Sequence, residues 1–554
     1  MTKPTYVLGT GLSHNGSACL LKDGKIVVAI EKERITRHKN DGFNDTIAIQ
    51  YCLEAEGIGW DDVDLVVQNS VFCNFTQGND WYRGPRVIPN SVPVVTISHH
   101  LAHAYNALFT SNFEDAAIAV VDGSGSLSKD CLEVLPFDKN KRQYECVSFY
   151  SWDGTTIRAL YKQFSEIGEI SEEDNPLVGF LKDSIGGLYE KASAYVFGHG
   201  LDPGQLMGLS SFGRANIFSK KFVTFEGPDV KIDCPAADFL KPRNLGLSFT
   251  TEHFQHFADF ARLIQDELTY VMVTLANNLY GYYPSTNICI AGGVGLNIIA
   301  NTEIVRKTGF KNIFVPPPAN DAGISIGCAY YGWHTVLGKD RVKHDGSAYL
   351  GKPYDLYYSQ VIELVQQVRE DIVVTKPDNL NETAAKEIAM GKVIGWYKGG
   401  AEMGPRALGH RSILANPCDT GMKDRINNTI KNRPDFRPFA PAVLEEDASI
   451  YFDIDRPSPH MLLVFPVREG WLGKIPAVTH VDGTARVQTV SETDDKDFYE
   501  LLKEVKRETG IGMVLNTSFN RKHEPIVERP EEAVQMFLDT PMDALVLGPY
   551  LLTK

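Results

Sequence analysis

His99 and His103 stand four residues apart in a run, HHLAHA, that reads as helix. Residues four apart lie one above the other on a helix face, so the two imidazoles can share one divalent ion. No Glu stands with them as in H-E-x-x-H. Leu101 and Ala102 fill the space between, and the helix offers ligands without the general base of a metalloprotease. Asp122 follows the apolar run Ala116–Val121, at the carboxyl end of an expected strand, where open α/β sheets present ligand groups. It is a candidate third ligand. Asp321, just before a small-residue helix expected over Ile324–Tyr331, either caps that helix or completes the set. Two imidazoles and two carboxylates suit Fe(II), Mn(II) or Zn(II) better than Mg(II) or Ca(II), which prefer all-oxygen shells. The competing reading is a packed or capping histidine pair.

The elements that must position these groups come in a repeated order. An apolar strand from Tyr6 leads into a small, polar turn over residues 10–16, then a hairpin through Asp23-Gly24. The turn can set N–H groups and hydroxyls against a phosphate or carbonyl oxygen, and His14 is its one side chain suited to proton transfer near neutrality. An incidental histidine in a tight turn is the alternative. The same order of strand, then glycine and hydroxyl turn, recurs at AIAVVDGSGS with Gly123, and a third glycine turn lies in CIAGGVGLN. Gly292 and Gly293 let backbone approach a nucleotide, and Asn297 can hydrogen-bond it. Two similar halves with a nucleotide cleft predict an α/β, duplicated core that resembles the actin/Hsp70/sugar-kinase fold.

The formal net charge of −15 argues against an extended nucleic-acid or anionic-membrane surface. Hydrophobic content of 43% and charged content of 23% are those of a globular protein, and 554 residues exceed one ordinary core. Nine cysteines without a C-x-x-C fit a reducing cytoplasm, and no run approaches the roughly 18 apolar residues of a membrane helix. A linker is expected near residues 339–352. Beyond it lie Arg406, Arg411, Lys423, Arg425, Lys431, Arg433 and Arg437, interleaved with Gly and Pro. In so acidic a chain that local density calls for an anion, and turns fix a loop where a solvated helix face would run on. Arg486 and the donors of NTSFN extend the inventory that triphosphate recognition needs.

SHNGSA, HHLAHA, VVDG, AGGVGLN, PPPANDAG, EMGPRALGHRSILANP, RPFAPAV, HVDGTARVQTV and LNTSFN, in this order, resemble the carbamoyltransferase family of NodU, CmcH and TobZ type over nearly the whole chain. The resemblance implies a TsaD-like carbamoyl-transfer domain over residues 1–345 and a YrdC-like α/β domain over 357–554. The second would form carbamoyl adenylate from carbamoyl phosphate and ATP. The first would transfer the carbamoyl group to a hydroxyl of a small molecule, often an antibiotic or other secondary metabolite. The same resemblance matches His99, His103, Asp122 and Asp321 to metal ligands with iron as the ion, and His14 to the acceptor of the hydroxyl proton. Arg406, Lys431, Arg437 and Arg486 match the adenylate-forming site, with Mg2+ accompanying ATP. Gln205 departs from a lysine common among relatives. Residues 72–88 and 155–184, long and rich in turns, are expected to shape the acceptor pocket.

Two other functions fit parts of the pattern. A tRNA threonylcarbamoyl-transfer enzyme would use both domain types, and a silent metal- and nucleotide-binding sensor would keep the pockets without turnover. The leading expectation is a cytoplasmic enzyme with a small-molecule acceptor, no nucleic-acid or membrane partner, and a homodimer left open.

Overall fold

The structure, a computed structural model, describes residues 3–70, 87–133, 142–167, 181–198, 203–218, 221–233, 247–366 and 371–554. These fall into two units, one of residues 1–36 with 40–346, the other of 37–39 with 347–554.

The first unit begins with Tyr6–Gly11 (β1), buried at every position because both faces of its sheet are covered. β1 pairs antiparallel with Ser17–Lys22 (β2), which pairs antiparallel with Lys25–Glu31 (β3). The tight β2–β3 turn works because Asp23 and Gly24 both take positive φ, 51° and 81°. On its other side β1 pairs parallel with Val63–Ser70 (β4), and β4 with Val94–Ser98 (β5), giving the order β3-β2-β1-β4-β5.

Ala116–Val121 (β6), Gln143–Trp152 (β7) and Ile157–Glu166 (β8) form the next antiparallel meander. A separate hairpin of Val223–Glu226 (β9) and Asp229–Ile232 (β10) follows. Asn287–Ala291 (β11) then joins β6 in parallel, and Asn312–Phe314 (β12) joins β11. The order β12-β11-β6-β7-β8 repeats the first sheet, three antiparallel strands then two parallel ones. This is the duplicated α/β arrangement expected of the actin/Hsp70/sugar-kinase type. A patternless loop over residues 155–184 is corrected by β8, which lies antiparallel along β7. Residues 71–86 and 168–180 lie outside the described residues.

Helix Ile324–Tyr331 packs on the first sheet, and helix His99–Phe109 packs against that helix and against β6 and β11 of the second sheet. Their approach is set by Gly327, where a Cβ would overlap the Ala102 carbonyl oxygen, between the two candidate ligand histidines.

The second unit is built on a mixed eight-stranded sheet. Its strands are Val373–Thr375 (β13), Ile394–Tyr397 (β14), Arg411–Ala415 (β15), Ala440–Leu444 (β16), Gln488–Val490 (β19), Met513–Ser518 (β20), Ala544–Leu547 (β21) and Tyr550–Thr553 (β22). A small ribbon of Phe465–Pro466 (β17) and Thr484–Ala485 (β18) stands apart. Helix Lys496–Thr509 buries Phe498, Leu501, Leu502 and Val505, spaced at helical period, against Trp396, Leu414 and Val514. Asp495 caps its start by accepting the Phe498 N–H, and Gly510 ends it at φ 79°. Among the described residues no helix is long and apolar enough to cross a membrane.

Gly327→Ala overpacks a helix contact made by backbone, and about 1–3 kcal/mol of stability should be lost. Gly281→Ala, on an exposed turn of helix Phe254–Tyr282 with open space around it, should add up to about 1 kcal/mol. Denaturant titration of both variants reads the opposite signs.

Candidate functional site

Helix His99–Phe109 carries two of the four groups, the end of β6 the third, and the turn before helix Ile324–Tyr331 the fourth. All four side chains are buried, and their ligand atoms lie within 4.8 Å of one another. His99 Nε2 stands 3.1 Å from Asp122 Oδ2 and 3.4 Å from Asp321 Oδ1. His103 Nε2 stands 3.2 Å and 3.6 Å from the same two atoms, and 3.2 Å from His99 Nε2. Four ligands each about 2.0–2.2 Å from one tetrahedral ion would be about 3.4 Å apart. The spacing and the mixed nitrogen and oxygen donors therefore fit a divalent transition metal. Asp321 does not cap the helix that follows; its carboxylate faces the histidines.

The Asp122 carboxylate is held from behind. Asp122 Oδ1 accepts the N–H groups of Gly123, at 2.7 Å, and Gly293, at 3.1 Å. Gly292, at φ 88°, packs where a Cβ would overlap the Val121 carbonyl oxygen, and its N–H reaches Ala319 O at 2.9 Å. The glycines read as nucleotide-facing thus orient a candidate metal ligand. Asn297 caps helix Ile298–Lys307 through the Ala300 N–H and exchanges two hydrogen bonds with Gln265, so both ends of its amide have protein partners. Gln205 is buried on helix Pro203–Ser210.

Two asparagines escape sequence reasoning. Asn106, one turn beyond His103, donates to Pro318 O at 3.0 Å and holds the loop leading to Asp321. Asn69, at the end of β4, accepts the Leu12 N–H at 2.9 Å and lies 3.3 Å from His99 Nδ1. Their only sequence signal is a polar residue in an apolar element.

His14 reaches the cluster from the β1–β2 turn, which residues 41–43 grip through Gly16 N–H to Asp41 O and Phe43 N–H to Ser13 O, both 3.0 Å. Its Nδ1 lies 3.2 Å from Asp321 Oδ2, yet the side chain is 54% exposed. Partial desolvation disfavours the charged form of His14 and full burial that of His99, but the Asp321 charge and hydrogen bond outweigh it at His14, pushing it up to about 9, and the Asp321 charge with the Asp122 and Asp321 hydrogen bonds does so at His99, pushing it up to about 10. Burial would raise Asp122 and Asp321; the facing histidines hold both below the usual carboxylate range.

In the second unit the basic run divides by what each side chain touches. Arg411 is buried over the Tyr397 ring and donates to the carbonyls of Lys398 and Gly399; Arg425 pairs with Asp543. Both hold the fold. Arg486 instead is pressed below the usual arginine range by burial and by Arg406, Arg433 and Arg437, charges of its own sign. Arg433, which the sequence does not set apart from its basic neighbours, donates to Asn427 Oδ1 at 2.7 Å and stacks over Phe439. Lys431 donates to oxygens of Ser518 and Asn520 at 2.5–3.1 Å; burial, then Arg433 and Arg437, push it down. The loop presenting Arg406 folds around buried Glu402, whose Oε1 accepts the N–H groups of Leu408, His410 and Arg411 at 2.7, 2.9 and 3.2 Å. Such a concentration of guanidinium charge is suited to an anion.

The first cluster should bind on the order of one divalent transition-metal ion per chain, removable by chelator, and His103→Ala or Asp321→Ala should weaken binding at least about tenfold. Because a cation must displace the His99 proton, apparent affinity should rise with pH from 6 to 9. Metal analysis and calorimetry at several pH values check both.

The chain matches the family described as Carbamoyltransferase N-terminus over residues 7–77 and 89–330, and that described as Carbamoyltransferase C-terminus over residues 385–554. Nodulation protein NolNO of Sinorhizobium fredii (strain NBRC 101917 / NGR234) is 32% identical, with 98% of this chain and 79% of that protein covered. Nodulation protein U of Rhizobium tropici is 28% identical, with 93% and 90% covered. The crystal structure of full-length HypF in the phosphate- and nucleotide-bound form matches at a TM-score of 0.37 and 15% identity, over 60% of this chain and 56% of that one. With both family halves matched in order along one chain, and relatives aligned over nearly its whole length, the chain belongs to the carbamoyltransferase family.

Proposed function

We propose that the chain is an ATP-dependent O-carbamoyltransferase. Its second unit forms carbamoyl adenylate, and its first transfers the carbamoyl group to a hydroxyl of a small-molecule acceptor, a secondary metabolite by class. The observation that carries the reading is the coexistence in one family member of an arginine cluster around Arg486 and a four-donor cluster with His14 at its exposed edge.

Carbamoyl phosphate, ATP and water give carbamoyl adenylate, phosphate and pyrophosphate. The step gathers several negative charges, which Arg406, Arg433, Arg437 and Arg486 would neutralise. Lys431, bound to Ser518 and Asn520, would shape the same loop. Mg2+ would accompany ATP. The cation we assign to His99, His103, Asp122 and Asp321 is Fe(II) or a similar ion. When bound it supplies Lewis-acid polarisation and offsets the carboxylate charge that keeps His14 protonated. His14 would then take the acceptor hydroxyl's proton as oxygen attacks the carbamoyl carbon and adenylate leaves. Asp321 would hold the ring from behind. The net charge of −15 supports a small acceptor over tRNA.

Incubation with ATP, carbamoyl phosphate and Fe(II), without acceptor, should yield pyrophosphate and carbamoyl adenylate by mass spectrometry. Arg437→Ala should reduce both by about 10²–10³-fold. ATP binding with no pyrophosphate under any metal would favour the sensor reading. His14→Gln should leave adenylate formation intact and slow transfer to an accepted substrate by about 10²–10⁴-fold.

A further inference from the structure

Behind the four-donor cluster lies a second group of ionisable side chains that carbamoyl transfer does not use. Glu145 on β7 and Lys162 on β8 are buried, their side chains 0% and 1% exposed, with Glu133 beside them at 6%. The Lys162 ammonium pairs with Glu145 Oε1 and stands 2.7 Å from Glu133 Oε1. Cys131, Glu133 and Glu145 are close enough together to suggest a second metal site. The lysine already sets a positive charge against both carboxylates, so the group is a closed ion network.

What the network does is visible in its other bonds. Glu133 accepts the Tyr150 hydroxyl at 2.7 Å and the Ser98 hydroxyl at 3.1 Å from each oxygen. Ser98 is the residue that would ordinarily cap the His99–Phe109 helix, and it makes no such cap. The helix is capped from elsewhere. Ser126 Oγ accepts the His99 N–H at 2.9 Å, and Glu145 Oε2 accepts the His100 N–H at 3.3 Å. The same Oε2 accepts the Ser126 N–H at 3.0 Å. Ser126 ends the short loop that starts at Asp122, and it exchanges main-chain bonds with β7 through Glu145 N–H to Ser126 O at 3.0 Å. The loop lies this close because residue 125 is glycine; a Cβ there would stand 2.9 Å from Glu145 Oε2 and 2.8 Å from the His100 ring. One carboxylate therefore grips both segments that deliver ligands: the helix of His99 and His103, and the loop of Asp122. A negative charge also suits the positive end of the helix dipole.

We propose that Glu145, paired with Lys162 and acting together with Ser126, is a positioning residue of the metal centre, fixing the two histidines relative to Asp122. The inference rests on the reading that His99, His103, Asp122 and Asp321 hold a divalent cation. Ligand sets tolerate displacements of only about 0.5 Å. Loss of the clamp should therefore degrade the centre without removing a ligand.

The test uses Co(II) as the probe, titrated into the chelator-treated full-length protein and followed by its visible absorption. Glu145→Gln should bind Co(II) about 10–100-fold more weakly than wild type, with a shifted absorption band. Ser126→Ala leaves the ion pairs untouched, so it reads the clamp if the Glu145 variant fails to fold; it should shift the band in the same sense. A general loss of stability would not move the spectrum of the protein that remains folded. Unchanged affinity and an unchanged band in the folded variants would overturn the proposal. No Co(II) uptake by wild type would overturn the metal reading, and this inference with it.

Discussion

Asp122 and Asp321 are two carboxylates buried within reach of the same histidine nitrogens. Like charges so close, out of water, would ordinarily force one of them to take up a proton. They remain below the usual carboxylate range because His99, His103 and His14 surround them and because Gly123 and Gly293 donate main-chain N–H groups to Asp122. The surrounding architecture serves that requirement. Asn106 fixes the loop of Asp321 to the histidine helix, and Gly327 lets the helix after Asp321 lie directly on Ala102. Every donor to the cluster is thus anchored to another donor's element.

Duplication explains where the groups come from. β1 and β6 are the central strands of two sheets with the same order and the same parallel and antiparallel neighbours. His14 stands in the turn after β1, and Asp122 in the corresponding turn after β6. The two turns have diverged in chemistry while keeping their place. One stays buried and ligand-like; the other carries a half-exposed imidazole suited to proton exchange with a bound molecule.

What was legible in the chain was local. The four-residue spacing of His99 and His103 fixes one helix face, and the apolar run before Asp122 fixes a strand end. What required the fold was anything joining distant segments. The glycines of AGGVGLN announce close backbone approach, but not that the approaching partner is Asp122. Glu145 and Lys162 look like ordinary strand charges until β7 and β8 pair them inside the sheet's cover. Residues 155–184 lack a periodic signal partly because Ile157–Glu166 is half-buried along most of its length, so no clean alternation marks it as a strand.

The second unit shows the limit most directly. Arg406, Arg411, Arg425, Arg433 and Arg437 are alike in a sequence, and a basic run in an acidic chain suggests an anion site without saying which members would form it. Three-dimensional neighbours make the division. Arg411 and Arg425 have carbonyls, an aromatic face or a carboxylate to satisfy them. Arg486 is flanked by Arg406, Arg433 and Arg437, an arrangement that is unfavourable in a folded protein by itself. Glu402 stabilises the loop that presents Arg406, and it does so by accepting backbone N–H groups. Like charges gathered in this way would be stabilised by a bound polyanion.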